Sequence, residues 1–300
     1  MVICSGLFVV QTIAACLLCE TRVLSIPTLG ELKADAVARA EALSCLSVKF
    51  RFDIDAKNTP SLFERSRSEV DLCDARIRWK HEFGKHDGST FMRTVTFDGQ
   101  VSHLIEHHRK QQSLHPEKLK EITVNGLGFF DLNMLVPAEN DPVSPNDVSL
   151  AGMLGLPFVE LRPSQETVNS RPCVVVDRRS PMNNTITATV WIDAERTGLP
   201  IRQHYYAPDH AEPVVAFDIT EAVEINGVWV GVVGTKVARP SLPGAPAVLQ
   251  STLTVEKNNV GAWAIELQPV FSPEVFTPSV QTGFVFSNLA TGEVTMPAKK

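Results

Sequence analysis

Apolar and polar side chains alternate along much of the chain, and this period of two restricts the possible folds more than any other feature. The pattern first appears around Phe50 and Phe52, which stand between charged neighbours. Because successive side chains of a strand point to opposite faces of its sheet, it predicts strands with one buried and one solvated face. Asp98-Gly99 is typical of a two-residue hairpin turn. The first half therefore predicts an antiparallel meander, with strands at residues 48–54, 76–83, 91–97 and 101–107.

The second half of the chain repeats this organisation after a break. Asn226-Gly227 gives another hairpin signal, and Gly198-Leu199-Pro200 predicts a further turn. The regular spacing of strands and turns favours one continuous sheet. Its further strands are predicted at residues 171–177, 185–193, 201–206, 214–224, 228–237, 248–257 and 262–268.

Helical patterns are found in two other parts of the chain. Thr28 and Glu31 have the spacing of a capping box, and apolar residues then recur at helical intervals, which predicts an amphipathic helix over residues 29–43. Between residues 111 and 165 the alternation stops, and a short apolar helix is expected at residues 147–156. We interpret this region as short helices and loops that cover one face of the sheet. The predicted fold class is α+β, mainly β, with a curved antiparallel sheet.

The first nineteen residues contain no charged side chain and are mostly apolar. They predict a leader, residues 1–25, that directs the chain to the periplasm or cell envelope, followed by a single domain over residues 26–300. Three alternatives stay open for this leader: cleavage near Ser25, lipid attachment at Cys16 within Ile13-Ala14-Ala15-Cys16, and retention as a membrane anchor. Each of them places the rest of the chain in the envelope, close to a membrane.

Composition and cysteine spacing exclude several classes of function. The net charge of −6 and the isoelectric point near 5.8 argue against nucleic-acid binding, which depends on clustered Lys and Arg. Cys45, Cys73 and Cys173 show no zinc-knuckle or CxxC spacing. Cys45 and Cys73 lie in consecutive strand-like segments and could form a disulfide in an oxidising compartment, but we interpret them as small buried thiols.

Complete catalytic and cofactor motifs are absent from the sequence. No GxSxG elbow, P-loop or dinucleotide-binding glycine pattern stands in a strand-to-helix setting, so no cofactor is expected. His81 and His86 are five residues apart, whereas a zinc-protease helix needs histidines four apart. His103 and His107 share one face of a predicted strand, but no Asp, Glu or Cys nearby completes a ligand set. The chain is expected not to be an enzyme, and a metal-dependent hydrolase using His103 and His107 is a distant alternative.

Large apolar side chains of the predicted inner face are the candidate binding residues. They could form a plain hydrophobic core, or they could surround a cavity that is left partly open for an acyl chain or an apolar peptide. Composition does not separate these alternatives. The candidate residues are Phe50, Phe52, Trp79, Phe97, Ile105, Phe217 and Trp229.

The order of these elements resembles that of the LolA-like outer-membrane lipoprotein carriers and sorting proteins, particularly their divergent planctomycete-type versions. The resemblance covers most of residues 28–295. It implies an antiparallel half-barrel that helices close over an apolar cavity, which shields acyl chains in characterised relatives. The stretches that carry it are Thr96–Gln100, Val190–Asp193, Gly198–Arg202, Glu224–Trp229, and an ending with Phe276, Gly283, Val285 and Thr291-Gly292.

For function, this resemblance implies a non-enzymatic envelope protein that binds or carries a lipid, a lipoprotein or another apolar ligand. None of the matching stretches is a catalytic motif, and none assigns a ligand contact to a particular residue. The alternative is a structural or protein-interaction module of the envelope that recognises a protein partner and binds no small ligand.

Overall fold

Strands predominate in the computed structural model, and they form one large, open, curved sheet. The predicted fold class, a mainly β half-barrel with an N-terminal helix and short helices over one face, is confirmed. The predicted leader, including Cys16, lies outside the described residues. The structure describes residues 26–55, 65–74, 76–84, 88–116, 150–196, 198–207, 211–239 and 249–297.

The elements are numbered in chain order. The helices are α1 (Leu29–Ala42) and α2 (Leu150–Leu154), and a 3₁₀ turn covers Pro273–Val275. The first strands are β1 (Cys45–Asp55), β2 (Arg65–Cys73), β3 (Arg76–Gly84), β4 (Thr90–Phe97), β5 (Ser102–Glu106) and β6 (Gln111–His115). The later strands are β7 (Val159–Leu161), β8 (Glu166–Val168), β9 (Arg171–Arg179), β10 (Ile186–Asp193), β11 (Pro200–Tyr205), β12 (Val215–Ile225), β13 (Val228–Ala238), β14 (Leu249–Val255), β15 (Ile265–Leu267), β16 (Val285–Asn288) and β17 (Glu293–Thr295).

The strand order follows the chain outward from β1. On one side, β1 pairs with β2, and β3 to β6 follow in sequence. On the other side, β1 pairs with β14 and β15, and β13 down to β9 follow in reverse sequence. These neighbours are antiparallel, whereas β16 pairs in parallel with β6 and carries β17 at the edge. The two predicted meanders therefore meet at β1.

The predicted capping box starts α1. Oγ1 of Thr28 accepts a hydrogen bond from the backbone N–H of Glu31 at 3.2 Å, and the Glu31 carboxylate accepts one from the backbone N–H of Thr28 at 2.7 Å. These bonds satisfy two backbone donors at the helix start. α2 forms part of the helix predicted at residues 147–156. Among the residues described, no helix is long and apolar enough to cross a membrane.

Directly paired residues of antiparallel strands point to the same side of the sheet, so the registers define two faces. The inner face carries Phe50 and Val70, which belong to the main core together with Leu253 of β14. The outer face carries charged residues in ion pairs. Arg78 bonds both Asp71 and Glu69, and the other outer pairs include Arg51–Asp53, Arg65–Asp53 and Arg202–Asp218.

The two helices cover the inner face at β9 and β10. Phe217 of β12 pairs with Gln203 of β11. Gln203 pairs with Val190 of β10, and Val190 pairs with Val176 of β9, so all four residues point to the inner face. Val176 and Val190 form a second core cluster with Leu32 of α1 and with α2. The alternate residues of β9 and β10 are buried as well, so this part of the sheet is packed on both faces.

Cys45 and Cys73 are joined in a disulfide between β1 and β2. Our interpretation of these residues as buried thiols was therefore wrong. The cause is the strand pairing: the register sets the two residues directly opposite each other, with their Cα atoms 4.0 Å apart. Cys173 is a buried free cysteine, and burial raises the pKa of its thiol to about 11.

The C-terminal segment packs across the outer face of the first meander. The side chain of Gln112 on β6 donates to the carbonyl of Ser279 at 3.5 Å and accepts from the backbone N–H of Gln281 at 3.0 Å. Phe276 is fully buried, and the guanidinium of Arg76 lies 5.0 Å from the centre of its ring. The segment then extends the sheet as β16.

Candidate functional site

One end of the inner face is only half-buried. Along β1, Phe50 is buried, whereas Phe52 keeps part of its surface exposed. Along β12, Ile219 is buried, whereas Phe217 is half-buried. The registers across β14 and β13 place Ile219 in line with Phe52, and Phe217 one step further in the same direction. The core therefore becomes more exposed at the same end of β1 and β12, which β14 and β13 separate.

The half-buried region of the inner face also includes aromatic rings of β3. Trp79, His81 and Phe83 occupy successive inner positions of the strand. The His81 ring stacks on Phe83 with centroids 3.7 Å apart, and its centroid lies 4.8 Å from that of Trp79. The Trp79 indole N–H also donates to Oγ of Ser68 on β2 at 3.2 Å. These contacts form an aromatic column along the strand.

His81 is a neutral side chain within this column. Burial lowers its pKa to about 3, and the positive charge of Arg93, its cross-strand neighbour, acts in the same direction. Neither ring nitrogen has a hydrogen-bond partner in the part of the chain that the structure describes. At neutral pH, His81 therefore contributes ring surface and no charge.

A lysine lies beside Phe217, on the opposite side of β1 from the aromatic rings of β3. Lys236 of β13 pairs with Phe217 of β12 and with Ser251 of β14, so it points to the inner face. Its Nζ lies 5.3 Å from the centre of the Phe217 ring, within the range of a cation–π contact. Burial lowers the pKa of this ammonium group. We call the surface of Phe52, Trp79, His81, Phe83, Phe217 and Lys236 the aromatic end of the inner face.

Five of the predicted binding residues point to the inner face. Phe50 and Phe97 are buried in the main core, whereas Phe52, Trp79 and Phe217 are half-buried at the aromatic end. The last three thus keep part of their surface exposed on the inner face, whereas the first two are buried within the core. Ligand binding by any of these residues stays a prediction.

Ile105 lies on the opposite face from the residues with which it was grouped. The register pairs it with Thr94 of β4, whereas Leu104 pairs with Val95 and points inward. Ile105 is nevertheless buried, in a region where Val275 of the C-terminal segment lines the same outer cleft. The C-terminal segment therefore buries this apolar side chain on the outer face, and Ile105 does not belong to the inner face.

Trp229 is held by two arginines beside the main core. Its ring packs against that core, and the guanidinium of Arg196 lies 4.1 Å from the ring centre. Its carbonyl accepts a hydrogen bond from the guanidinium of Arg39 on α1. The ladder between β12 and β13 is irregular near Glu221, so the register does not group Trp229 with Phe217.

Two clefts lie away from the aromatic end. A cleft of about 360 Å³ is lined by Asn169, Arg171, Arg196, Ile219 and neighbouring residues. A cleft of about 280 Å³ lies between the outer face of β3 to β5 and the C-terminal segment, and Ile105 lines it. The other six predicted binding residues line neither cleft. Apart from Ile105, the predicted binding residues are therefore not part of either of these two clefts.

His103 and His107 share the outer face, as their spacing predicts. His103 pairs with Thr96, and neither of its ring nitrogens has a partner within the described ranges. Nε2 of His107 lies 3.0 Å from Oγ1 of Thr94. Burial lowers the pKa of both histidines. The histidines therefore sit in packed positions at the outer face.

The described residues offer one group of potential metal ligands, and it does not include these histidines. Cys45, Cys73 and Asp74 have ligand atoms within 4.8 Å of one another. Both sulfur atoms of that group are bonded in the disulfide, so they are not thiolate ligands.

Sequence reasoning missed Phe83 and Lys236 as members of the aromatic end. The signal for Phe83 was present, because it continues the alternation of Trp79 and His81. Lys236 gave no such signal, since a lysine near the end of an apolar strand is usually solvent-exposed. Its inner position follows only from the pairing with Phe217 and Ser251.

Comparisons with known proteins were informative only at the level of structure. No protein-family model and no curated protein matches the chain. A domain described as an outer membrane lipoprotein-sorting protein, from Vibrio parahaemolyticus, matches with a TM-score of 0.47 and 11% identity, over 82% of this chain and 95% of that chain. A LolA superfamily protein from Nitrosomonas europaea matches with a TM-score of 0.46 and 10% identity, over 83% and 97%. A DUF1329 family protein from Desulfovibrio piger matches with a TM-score of 0.42 and 12% identity, over 83% and 96%.

These similarities concern the fold alone, since the identities and TM-scores are low. In structure, the chain is similar to each of these three proteins.

Proposed function

We propose that the protein binds or carries an apolar ligand, such as an acyl chain or a lipidated protein, in the cell envelope and without catalysis. The observation that supports this function is the aromatic end. Phe52, Trp79 and Phe217 keep part of their apolar surface exposed on the face where Phe50 and Phe97 are buried. Half-exposed rings on an inner surface give a ligand apolar contacts and remove their own area from water on binding.

Burial of these rings would contribute part of the free energy of reversible binding. Covering on the order of 50 Å² of one ring contributes about 1.3 kcal/mol, so the three rings together contribute about 4 kcal/mol. Contacts with the ligand's other neighbours would add to this value. A carrier needs binding of this moderate kind, because it must also release its ligand.

An envelope location is supported by two independent features. The apolar, uncharged start of the sequence is typical of a segment that directs a chain to a membrane. The disulfide between Cys45 and Cys73 is typical of proteins in oxidising compartments, including the bacterial periplasm. The Vibrio parahaemolyticus domain is described as a lipoprotein-sorting protein, which agrees with this proposal. The proposal itself rests on the aromatic end.

Binding of the neutral fluorophore N-phenyl-1-naphthylamine tests the proposal. The wild-type protein should bind the probe with enhanced fluorescence, and an added lipid should displace it. In the double variant Phe52→Ala/Phe217→Ala, we expect affinity for the probe to fall at least tenfold, because both rings lie at the aromatic end.

Phe286→Ala is the matched control for this experiment. Phe286 is also half-buried, but it lies on β16 at the far edge of the sheet. This variant should keep wild-type affinity, and thermal unfolding should show that both proteins are folded. Equal probe affinity of the wild type and the folded double variant would contradict ligand binding at the aromatic end.

A protein-interaction module is the second candidate, and the terminal hairpin favours it. Leu289, Val294 and Met296 expose more than half of their surface on or beside β16 and β17. Strand edges with exposed apolar side chains can pair with another chain. If the protein co-purifies with a stable protein partner that Val294→Asp releases, while no lipid or probe binds, this second function replaces the first.

A further inference from the structure

We propose that the outer cleft of about 280 Å³ is a second binding site, which takes a small organic molecule with an oxyanion group, such as a carboxylate or a phosphate. The oxyanion would contact Nζ of Lys80 and the hydroxyl of Thr96. Both residues lie on the opposite face of the sheet from the aromatic end, so the site is separate from the one proposed above.

The hydroxyl of Thr96 is the first argument. Thr96 lines the cleft, yet only 1% of its surface is exposed. Its Oγ1 atom has no hydrogen-bond partner among the residues that the structure describes. A buried hydroxyl without a partner is unfavourable, because burial removes it from bulk water. An oxygen atom of a ligand in the cleft would accept a hydrogen bond from this hydroxyl and offset the loss.

His103 is a second buried polar side chain at the same place. It pairs with Thr96 across β4 and β5, so both side chains point to the outer face. Only 7% of its surface is exposed, and neither ring nitrogen has a hydrogen-bond partner within the described ranges. Burial lowers the pKa of His103, so at neutral pH the ring is uncharged and carries one N–H donor. Two adjacent side chains of the outer face thus have unused hydrogen-bond donors.

Lys80 supplies a positive charge at the cleft. It is exposed, and its ammonium has no hydrogen bond or ion pair in the part of the chain that the structure describes. Thr96 pairs with Arg78, and Lys80 is the next outer residue of β3. Such diagonal neighbours lie about 7 to 8 Å apart, within reach of a long side chain. One oxyanion can therefore contact both Nζ of Lys80 and Oγ1 of Thr96.

The other two charged residues that line the cleft bond other groups of the chain. The guanidinium of Arg78 bonds the carboxylates of Asp71 and Glu69. Hydrogen bonds from its own backbone N–H and from the side chain of Ser272 lower the pKa of Glu274. Lys80 is therefore the charged residue of the lining that is available to a ligand.

The rest of the lining determines the size and character of the ligand. Met92 and Ile105 of the sheet and Val275 and Pro278 of the C-terminal segment provide apolar surface. The volume of about 280 Å³ lies just below the roughly 300 to 1,000 Å³ of pockets for drug-sized ligands. We therefore expect a short aliphatic carboxylate or phosphate and not a long acyl chain.

A methyl NMR titration of the full chain at pH 7 tests the inference. The side chains of Ile105 and Met92 line the cleft, so their methyl signals report binding there. The ligands are butanoate, butyl phosphate and the neutral 1-butanol, compared at equal ionic strength. At least one of the two anions should shift both signals saturably, with a Kd about fivefold lower than that of the alcohol. The two anionic arms distinguish a carboxylate ligand from a phosphate ligand.

Variants of charged residues assign the preference for anions. Lys80→Met should weaken binding of the anion about fivefold and change binding of the alcohol by no more than about twofold. Glu274→Gln removes a carboxylate from the lining and should strengthen binding of the anion. Lys257→Met is the matched control, because Lys257 is also exposed but lies outside the cleft, and it should behave as the wild type.

Thr96→Val separates ligand binding from a structural role. The substitution keeps the shape of the side chain and removes only the hydroxyl. It should weaken binding of the anion about threefold. The ligand-free variant should nevertheless have a thermal midpoint equal to or above that of the wild type, because Oγ1 has no hydrogen-bond partner among the described residues.

Four outcomes would overturn the inference. The first is the absence of a saturable shift with either anion, and the second is equal binding of anion and alcohol by the wild type. The third is a preference for anions that survives in a folded Lys80→Met variant. The fourth is a clearly lower midpoint of Thr96→Val, because the hydroxyl would then already stabilise the fold. Each of these results leaves binding at the aromatic end in place, since N-phenyl-1-naphthylamine measures it separately.

Discussion

Cys45 and Cys73 face each other across β1 and β2, and their sulfur atoms are bonded. This bond lies at the start of β1, where the two meanders of the sheet meet. It closes a loop with a sequence separation of 28 residues. The bond therefore fixes the register of the strand that both halves share.

Removal of this disulfide should destabilise the protein. For a loop of this length, the entropy of the unfolded chain predicts a loss of about 3 to 4 kcal/mol. Urea unfolding with and without reductant measures the loss, and reductant should lower the midpoint of the wild type. The double variant Cys45→Ser/Cys73→Ser should show the lower midpoint in both conditions. An identical midpoint for the wild type in both conditions would show that the bond contributes no stability.

Asp193 should be the most sensitive carboxylate at the end of β10. Its buried side chain accepts from the guanidinium of Arg171 and from the backbone N–H of Glu195. The bond to Asp193 is also the main cause of the raised pKa of Arg171. Asp193→Asn removes the buried charge that this cation faces, leaves it only the more exposed carboxylate of Glu195, and should lower the free energy of unfolding by about 3 to 5 kcal/mol. The control Asp218→Asn, at a more exposed pair on the outer face, should cost about 1 kcal/mol or less. Equal losses in the two variants would contradict this account.

Gln112 should hold the C-terminal segment against β6. Its buried amide bonds the carbonyl of Ser279 and the N–H of Gln281. Gln112→Leu leaves both backbone groups without that partner, which should cost about 1 to 3 kcal/mol. Hydrogen exchange should then become faster across residues 279–288 and stay unchanged in β1. Gln100→Leu, in an exposed turn, serves as the control and should leave the exchange pattern as in the wild type. Unchanged exchange in Gln112→Leu would exclude this role.

His81 should make the protein less stable in acid. Its pKa is about 3 in the folded protein, and the ordinary value of 6.5 applies after unfolding. Between these values the unfolded chain binds the additional proton, so stability falls as the pH falls from about 6.5 towards 3. The slope from this one group is at most about 1.4 kcal/mol per pH unit. His81→Phe keeps an aromatic ring beside Phe83, removes the titration, and should flatten the dependence of unfolding free energy on pH between 4 and 6. The same slope in the variant and the wild type would contradict the assignment.

The strands that alternation predicts are present, and two of the strands that it misses, β2 and β16, have identifiable reasons; β6 and β7 correct the expectation that residues 111–165 form only short helices and loops. β1, β3 and β4 follow the predicted segments, because their inner positions are apolar and their outer positions charged. β2 was not predicted, because Ser66 and Ser68 occupy two of its inner positions and hide the pattern. β16 was not predicted, because its pairing with β6 depends on backbone bonds and on the packing of a distant segment.

The candidate site could be predicted only in part, because a single sequence does not specify the register between strands. Phe52, Trp79 and Phe217 share a face, as expected. Ile105 does not, since the hairpin after β4 pairs it with Thr94. Apolar alternation in β5 fits either face, because the C-terminal segment buries the outer one. Lys236 is the opposite case, a charged residue whose inner position only the pairing reveals.

Native mass spectrometry of the protein purified from its own envelope tests the central claim most directly. The account predicts a species heavier than the chain by the mass of an acyl-chain compound, and loss of that species in Phe52→Ala/Phe217→Ala but not in Phe286→Ala. Repeated absence of any co-purifying or exchangeable lipid from the folded wild-type protein would contradict the account.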